Sequence, residues 1–210
     1  SPVADQSGNM SALAKGNTLS QVAHGNGVYV LVGQAGTILT SPDGATWTAR
    51  ISGTPSSLRA ITFGNGRFVA VGSMGIIVSS KNGIEWRNNG SQICPCLRSI
   101  AFGNGLFAAV GSSGAIITSP DAFTWTRQSS GTSAGLRSVT HDNETFVAVG
   151  ESGVIATSKD GLTWVKNQSG TNKTLKSVRA ENGVFTAVDA DGYARTSREP
   201  GTWIPNAVGQ

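Results

Sequence analysis

The sequence predicts an all-β fold, a five-bladed β-propeller in which each 39-residue blade is a sheet of four antiparallel strands. First, leucine and tryptophan return every 39 residues along the 210-residue chain. They stand at Leu19, Leu58, Leu97, Leu136 and Leu175, and at Trp47, Trp86, Trp125, Trp164 and Trp203. Second, each interval contains four short apolar segments separated by turn residues. Third, the composition, with 28 glycines and 13% charged residues, is typical of short strands joined by tight turns and nearly excludes helix.

The second repeat shows how each strand is recognised. Residues 58–63 read as a first strand, and the Gly64-Asn65-Gly66 sequence after it favours positive φ and a tight hairpin into residues 67–72. A glycine-containing turn leads to a third strand, and the fourth strand follows the tryptophan. We therefore expect four strands per repeat in simple up-and-down order.

The repeats divide the chain into one propeller domain, residues 19–210, and a lead-in, residues 1–18. The blades are predicted at about 19–57, 58–96, 97–135, 136–174 and 175–210. Residues 3–13 match residues 165–175, which predicts an extra outer strand at the N-terminus. That strand would either close the ring on the last blade or pair with a neighbouring molecule. The last repeat departs from the others, with Asp189 in place of a glycine, as terminal repeats often do.

A recurring turn precedes each of the first four tryptophans. Ser41-Pro42-Asp43-Gly44-Ala45-Thr46-Trp47 is the first copy. An acid or amide at its third position can bind the backbone two residues on, and glycine takes the positive φ. The turn residues are Asp43, Asn82, Asp121 and Asp160, and the five tryptophans are expected to staple the hairpins to neighbouring sheets. We interpret this turn as structural.

With these turns, residues 19–210 resemble the Asp-box, or BNR, propellers found in sialidases and in photosystem assembly-factor-like proteins. The family's usual box, Ser-x-Asp-x-Gly-x-Thr-Trp, is one residue longer than the form in this chain. The resemblance implies the propeller fold; since one fold hosts many activities, it implies little about function.

Catalysis is not expected. The resemblance to sialidases would require an arginine cluster, a tyrosine nucleophile paired with a glutamate, and an acidic acid/base residue. Tyr29 lies at a position occupied by phenylalanine in the other repeats, which predicts a core residue, and Tyr193 is the only other tyrosine. His24 and His141 occupy equivalent positions and are expected to be packed imidazoles. No cofactor or metal is expected: residues 189–192 resemble a fragment of a calcium loop that lacks its remaining ligands.

Cys94 and Cys96 flank Pro95 and are the only cysteines. Three alternatives stay open for them: inert or reduced thiols, a local disulfide formed across a turn at Pro95, or half of a metal site.

A repeated cation is the candidate ligand-binding feature. Arg59, Arg98, Arg137 and Lys176 each follow a repeat leucine, whereas Ser20 interrupts the series. Propeller geometry would gather them at one mouth of the central channel, where they would favour an anionic ligand. The alternative is that they lie solvated on the rim and pair with local acids. Small polar loops before each leucine, such as residues 52–57, 129–135 and 169–174, leave glycan binding open.

Charge and hydropathy restrict partners and location. The formal net charge of +4 is small, and no pattern of exposed aromatic residues accompanies it, so nucleic acid is not expected as a partner. The sequence contains no run of about 18 apolar residues, the pattern that would predict a membrane-spanning helix. The sequence favours a noncatalytic binding module outside the cytoplasm, secreted or periplasmic, whose signal peptide has been removed. The partner would be a glycan, an anionic ligand or a protein. The alternative is a structural subunit that self-assembles through its N-terminal strand, and the chain could also be one domain of a longer protein.

Overall fold

The computed structural model describes residues 13–90, 96–199 and 201–205. They form twenty strands arranged as five antiparallel four-stranded sheets, which confirms the predicted fold class, an all-β five-bladed propeller. Within every sheet the strands follow chain order, so each sheet is a simple meander. Each sheet is called a blade below. The extra N-terminal outer strand, predicted at residues 3–8, lies outside the described residues.

The first compact unit, residues 1–92, contains two blades. The strands of blade 1 are β1 (Leu19–Gly25), β2 (Val28–Gly33), β3 (Ile38–Ser41) and β4 (Thr48–Arg50). Those of blade 2 are β5 (Leu58–Gly64), β6 (Arg67–Gly72), β7 (Ile77–Ser80) and β8 (Arg87–Asn88).

The second compact unit, residues 93–210, contains three blades. The strands of blade 3 are β9 (Leu97–Gly103), β10 (Leu106–Gly111), β11 (Ile116–Ser119) and β12 (Thr126–Gln128). Blade 4 has β13 (Leu136–Asp142), β14 (Thr145–Gly150), β15 (Ile155–Ser158) and β16 (Val165–Asn167). Blade 5 has β17 (Leu175–Glu181), β18 (Val184–Asp189), β19 (Ala194–Ser197) and β20 (Ile204–Pro205).

The hairpin between the first two strands of each blade has the predicted geometry. Asn65 and Gly66 both have positive φ, 46° and 66°, as the mirror-image turns that suit twisted hairpins require. The same pair of positive φ values occurs in every blade, but blade 4 uses Asn143 and Glu144, so a glutamate takes the place of glycine there.

The cores lie between successive sheets of the same unit. Phe68, fully buried, packs with Val30 and Val32 of the preceding blade, and Phe146 packs with Ala108 and Val110 in the same way. Because a single four-stranded sheet cannot cover its own apolar faces, each blade depends on its neighbours.

Polar side chains also join the first strands of neighbouring sheets. The side-chain oxygens of Ser99 and Ser138 accept hydrogen bonds from the backbone amides of Val139 and Val178, each at 3.1 Å. Gln21 does the same for Ile61 at 3.1 Å. These bonds satisfy backbone groups on strands that belong to different sheets and share no ladder.

Two core predictions for blade 1 are wrong. Tyr29 is 36% exposed, although its equivalents Phe68, Phe107, Phe146 and Phe185 are at most 1% exposed. His24 is also exposed and lies against the Tyr29 ring, with the centroids 4.3 Å apart. A phenol and an imidazole both carry polar atoms that can hydrogen-bond to water, so exposure to solvent costs this pair less than it would cost phenylalanine. Among the described residues, no helix is long and apolar enough to cross a membrane.

Candidate functional site

The four recurring turns are built by side chains that bind the backbone. In the first turn, Asp43 Oδ1 accepts the amides of Ala45 and Thr46 at 2.8 and 2.7 Å, while Ser41 Oγ accepts the amide of Gly44 at 2.8 Å. The indole of Trp47 donates to the Gly44 carbonyl at 3.1 Å. The second turn keeps the same pattern around Asn82, whose Oδ1 accepts the amides of Ile84 and Glu85.

These bonds explain the acidity of the turn carboxyls. The backbone amides of Thr46, Thr124 and Thr163, followed by a second amide in each turn, hold the pKa values of Asp43, Asp121 and Asp160 at about 2. Such a carboxylate accepts hydrogen bonds from its own turn, so its role is to stabilise the turn. The indole bond of the tryptophans adds a contact that the sequence did not reveal.

Two of the predicted basic residues meet at one carboxylate. Arg98 Nη1 and Arg137 Nη2 lie 3.1 and 3.0 Å from Glu151 Oε1. Arg98 belongs to blade 3, whereas Arg137 and Glu151 belong to blade 4. The first strands β9 and β13 lie next to each other, so their basic residues approach the same turn. We call Arg98, Arg137 and Glu151 the arginine clamp.

Glu151 is held firmly in the clamp. Its Oε2 accepts the backbone amide of Gly135 at 3.2 Å, and the hydrogen bond from Arg98 is the main reason that the pKa of this carboxyl is lowered. The side chains remain 25% (Arg98), 40% (Arg137) and 36% (Glu151) exposed, so solvent ions and ligands can reach them. The sequence analysis missed Glu151 because it lies 53 residues from Arg98, at a position where the other repeats have no acid.

The other two predicted basic residues have different partners. Lys176, exposed at the start of β17, donates to the carbonyl of Ala190 at 3.2 Å. Arg59 is exposed in blade 2, and its Nε donates to Ser73 Oγ at 3.3 Å. Neither is held by a carboxylate among the described residues.

Blade 5 carries its own charged group beside Lys176. Lys173 forms an ion pair with Asp191, and its Nζ lies 5.3 Å from the centre of the Tyr193 ring. Tyr193 is 47% exposed, so this face of the blade presents an aromatic ring next to lysines. Asp189, by contrast, is 2% exposed, and its Oδ1 accepts the amides of Asp191 and Tyr193, which leaves that oxygen committed to the turn rather than to a calcium ion.

The structure does not bring the remaining candidates among the described residues into a site. Cys96 is half-buried, and Cys94 lies outside the described residues, so their pairing stays a prediction. His141 packs on Phe146 with ring centroids 4.5 Å apart. Across the described residues, no group of three or more acids, histidines or cysteines is placed to bind a metal.

Comparison with solved structures agrees with the architecture. YCF48 bound to D1 peptide superposes with a TM-score of 0.70 at 21% identity, covering 90% of this chain and 66% of that one. YCF48 from Cyanidioschyzon merolae gives 0.68 at 17% identity, covering 91% and 72%. This chain has a propeller fold. It spans about two thirds of the length of the first of these proteins.

A more distant match is the nidogen/laminin complex, with a TM-score of 0.63 at 13% identity, covering 86% of this chain and 75% of that one. No protein-family model matches the sequence, and no curated protein matches it either. At these identities the likenesses establish the propeller fold alone.

Proposed function

We propose that this protein is a noncatalytic binding module, working outside the cytoplasm, that recognises an acidic group on a protein or peptide partner. The observation that carries the proposal is the arginine clamp, in which two guanidinium groups from successive blades converge on one carboxylate oxygen. Guanidinium groups bind carboxylates with directed, charge-assisted hydrogen bonds, so the clamp already has the geometry that an external carboxylate needs.

The charge around the clamp favours a negative ligand. Lys176 lies in β17, the first strand of blade 5, which packs beside β13, and Glu151 neutralises only one of the three cations Arg98, Arg137 and Lys176. Two positive charges are therefore left in excess on an exposed face, and such an excess attracts anions and raises association rates. Arg59 occupies the equivalent position of blade 2 in the other compact unit, and the proposal rests on the three cations of the second unit.

Glu151 acts as a built-in competitor in this scheme. It orders both arginines while no ligand is bound, and an incoming carboxylate takes over its hydrogen bonds. The structural neighbours lend general support, because one is recorded with a bound peptide and another as a protein complex.

The test measures binding of a fluorescent hexaglutamate peptide, with hexaglutamine as the uncharged control, at low and high salt. We expect hexaglutamate alone to bind, and its affinity to fall as salt screens the charges. The double variant Arg98→Gln, Arg137→Gln should weaken binding about tenfold or more, since charge-assisted hydrogen bonds are lost.

Two further variants sharpen the experiment. Arg179→Gln removes an exposed cation outside the clamp and should leave the affinity near that of the parent. Glu151→Gln should tighten binding because the internal competitor is gone. Equal binding of hexaglutamate and hexaglutamine, or an affinity that the double arginine variant does not change, would overturn the proposal.

A further inference from the structure

A polar groove in blade 3 lies outside the arginine clamp. It has a volume of about 510 Å³, within the roughly 300–1,000 Å³ typical of small-ligand sites. Its walls come from the turn after β10 and from the end of β12 with the loop that follows it. The residues that matter most are Ser113, Gly114, Arg127, Gln128, Ser129 and Thr132. None of the described residues that line the groove is acidic.

The groove offers hydrogen-bonding groups that the protein does not use. Within the described part of the chain, exposed Arg127 forms no ion pair, and the hydroxyls of exposed Ser113 and Ser129 make no hydrogen bond. Gln128 donates its amide N–H to Thr118 Oγ1 at 2.8 Å, which fixes the amide group and leaves its carbonyl oxygen as an acceptor.

The walls of the groove are rigid. Ser130 Oγ donates to the carbonyl of Thr132 at 3.0 Å, and Thr132 Oγ1 accepts the amide of Ala134 at 3.1 Å. Gly114 lies so close to this loop that an added Cβ would be 2.0 Å from the Thr132 carbonyl oxygen. A preformed wall of this kind binds a ligand without a large ordering cost.

Over its described residues, blade 1 has no equally open groove at the equivalent place. In blade 1 the equivalent residues Ala35, Gly36, Ala49 and Arg50 line a cavity of only about 170 Å³, together with residues from 13 to 17. Blade 3 also has a cation at the position where blade 1 has Ala49. In addition, an added Cβ on Gly131 would lie 3.9 Å from Lys166 Cβ, so a second cation flanks the groove.

We propose that this groove binds an acidic saccharide, a polyhydroxylated ligand that carries a carboxylate. Arg127 receives the carboxylate, while the hydroxyls of Ser113 and Ser129 and the carbonyl oxygen of Gln128 bind the sugar hydroxyls. The lining, as far as the structure describes it, has no aromatic residue to stack on an uncharged ring, so hydrogen bonds and charge determine which sugars bind.

Calorimetry with digalacturonate tests the site, and fully methyl-esterified digalacturonate is the matched control because it keeps the hydroxyls and lacks the charge. We expect the acid to bind at least about tenfold more tightly than the ester. Arg127→Ala should lose at least about tenfold in affinity for the acid, whereas Arg179→Ala should keep the parental value. Ser129→Phe should block binding by filling the groove.

The clamp variant separates the two proposed sites. In the double variant Arg98→Gln, Arg137→Gln, whose clamp no longer takes a carboxylate, digalacturonate should still bind, and Arg127→Ala added to that background should abolish the binding. No binding at millimolar ligand, equal binding of acid and ester, or an affinity that depends on Arg98 and Arg137 but not on Arg127 would overturn the groove proposal.

Discussion

Asp189 and Arg195 compensate for each other inside blade 5. The equivalents of Asp189 in the other blades are glycines, and those of Arg195 are Leu39, Val78, Ile117 and Ala156. The two side chains are 1% and 11% exposed, with Arg195 Nη1 3.6 Å from Asp189 Oδ2. Arg195 Nε also donates to the Ser169 carbonyl at 3.0 Å, so the pair fastens the turn to the loop before it.

We expect Arg195→Leu to destabilise the protein by about 3 kcal/mol, because it leaves the buried Asp189 carboxylate without its cation. The double variant Asp189→Gly, Arg195→Leu restores the residue types of the other repeats. Its free energy of unfolding should lie within about 1 kcal/mol of that of the parent. Urea denaturation of the two single variants and the double variant measures the coupling. Additive losses would show that the two side chains do not compensate for each other.

The aspartates of the recurring turns should make the stability of the fold depend on pH, and replacing them by asparagine should remove that dependence. The folded pKa values of Asp43, Asp121 and Asp160 are about 2, against about 3.8 for an unperturbed aspartate. Their stabilisation is therefore complete above about pH 3.8 and is lost as the pH falls through about 2. The triple aspartate-to-asparagine variant should lose less thermal stability than the parent between pH 4 and 2.

Asn82 shows that asparagine can replace aspartate in this turn, because its amide oxygen accepts the same backbone hydrogen bonds. Thermal melts followed by circular dichroism at several pH values give the comparison. Asp160→Ala is the control for loss of the turn itself and should lower the melting temperature at every pH. If the triple variant follows the acid response of the parent, these turns do not set it.

Glu144 stands in the left-handed region where the other hairpins use glycine, with φ of 59°. Relief of that strain is worth about 1–2 kcal/mol, and the greater freedom of glycine in the unfolded chain offsets part of it. Glu144→Gly should therefore stabilise the protein by about 0.5–1 kcal/mol. Gly105→Ala, the reverse change at the equivalent position, should destabilise it by about 1 kcal/mol. Chemical denaturation distinguishes them, and a destabilised Glu144→Gly variant would contradict the strain argument.

His141 has a buried Nε2 atom that finds no hydrogen-bond partner among the described residues. Burial lowers the pKa of this imidazole below its usual value of about 6.5, against a smaller opposing effect of Asp142. The unfolded chain therefore takes up the proton first, and the protein loses stability as the pH falls below about 6.5.

Phenylalanine occupies the equivalent of His141 in blades 2 and 3, and Phe63 packs on Gly25 as His141 packs on Gly103. His141→Phe should stabilise the protein by about 1 kcal/mol at pH 7, because an unsatisfied polar atom is removed, and should flatten the pH dependence between 7 and 5. His24→Phe makes the same exchange at an exposed position and serves as the control. Urea midpoints at both pH values provide the test, and parallel pH responses of His141→Phe and the parent would contradict it.

The repeat itself determined most of the fold. A 39-residue period with four strand segments per unit requires four-stranded sheets packed on one another, and the Asn65-Gly66 pair specifies its hairpin through local backbone sterics alone. The turn around Asp43 could also be predicted from the local sequence, because all its hydrogen bonds join residues within a stretch of seven. Local geometry can be inferred from local sequence.

The tertiary structure decided where charges meet and which surfaces stay open. The sequence placed Arg98 and Arg137 at equivalent positions, but only the packing of β9 beside β13 brings both to Glu151. The groove at Arg127 and the exposure of Tyr29 likewise depend on how a blade meets the segments around it. Such contacts depend on distances between residues far apart in the chain, and those distances exist only once the sheets have packed.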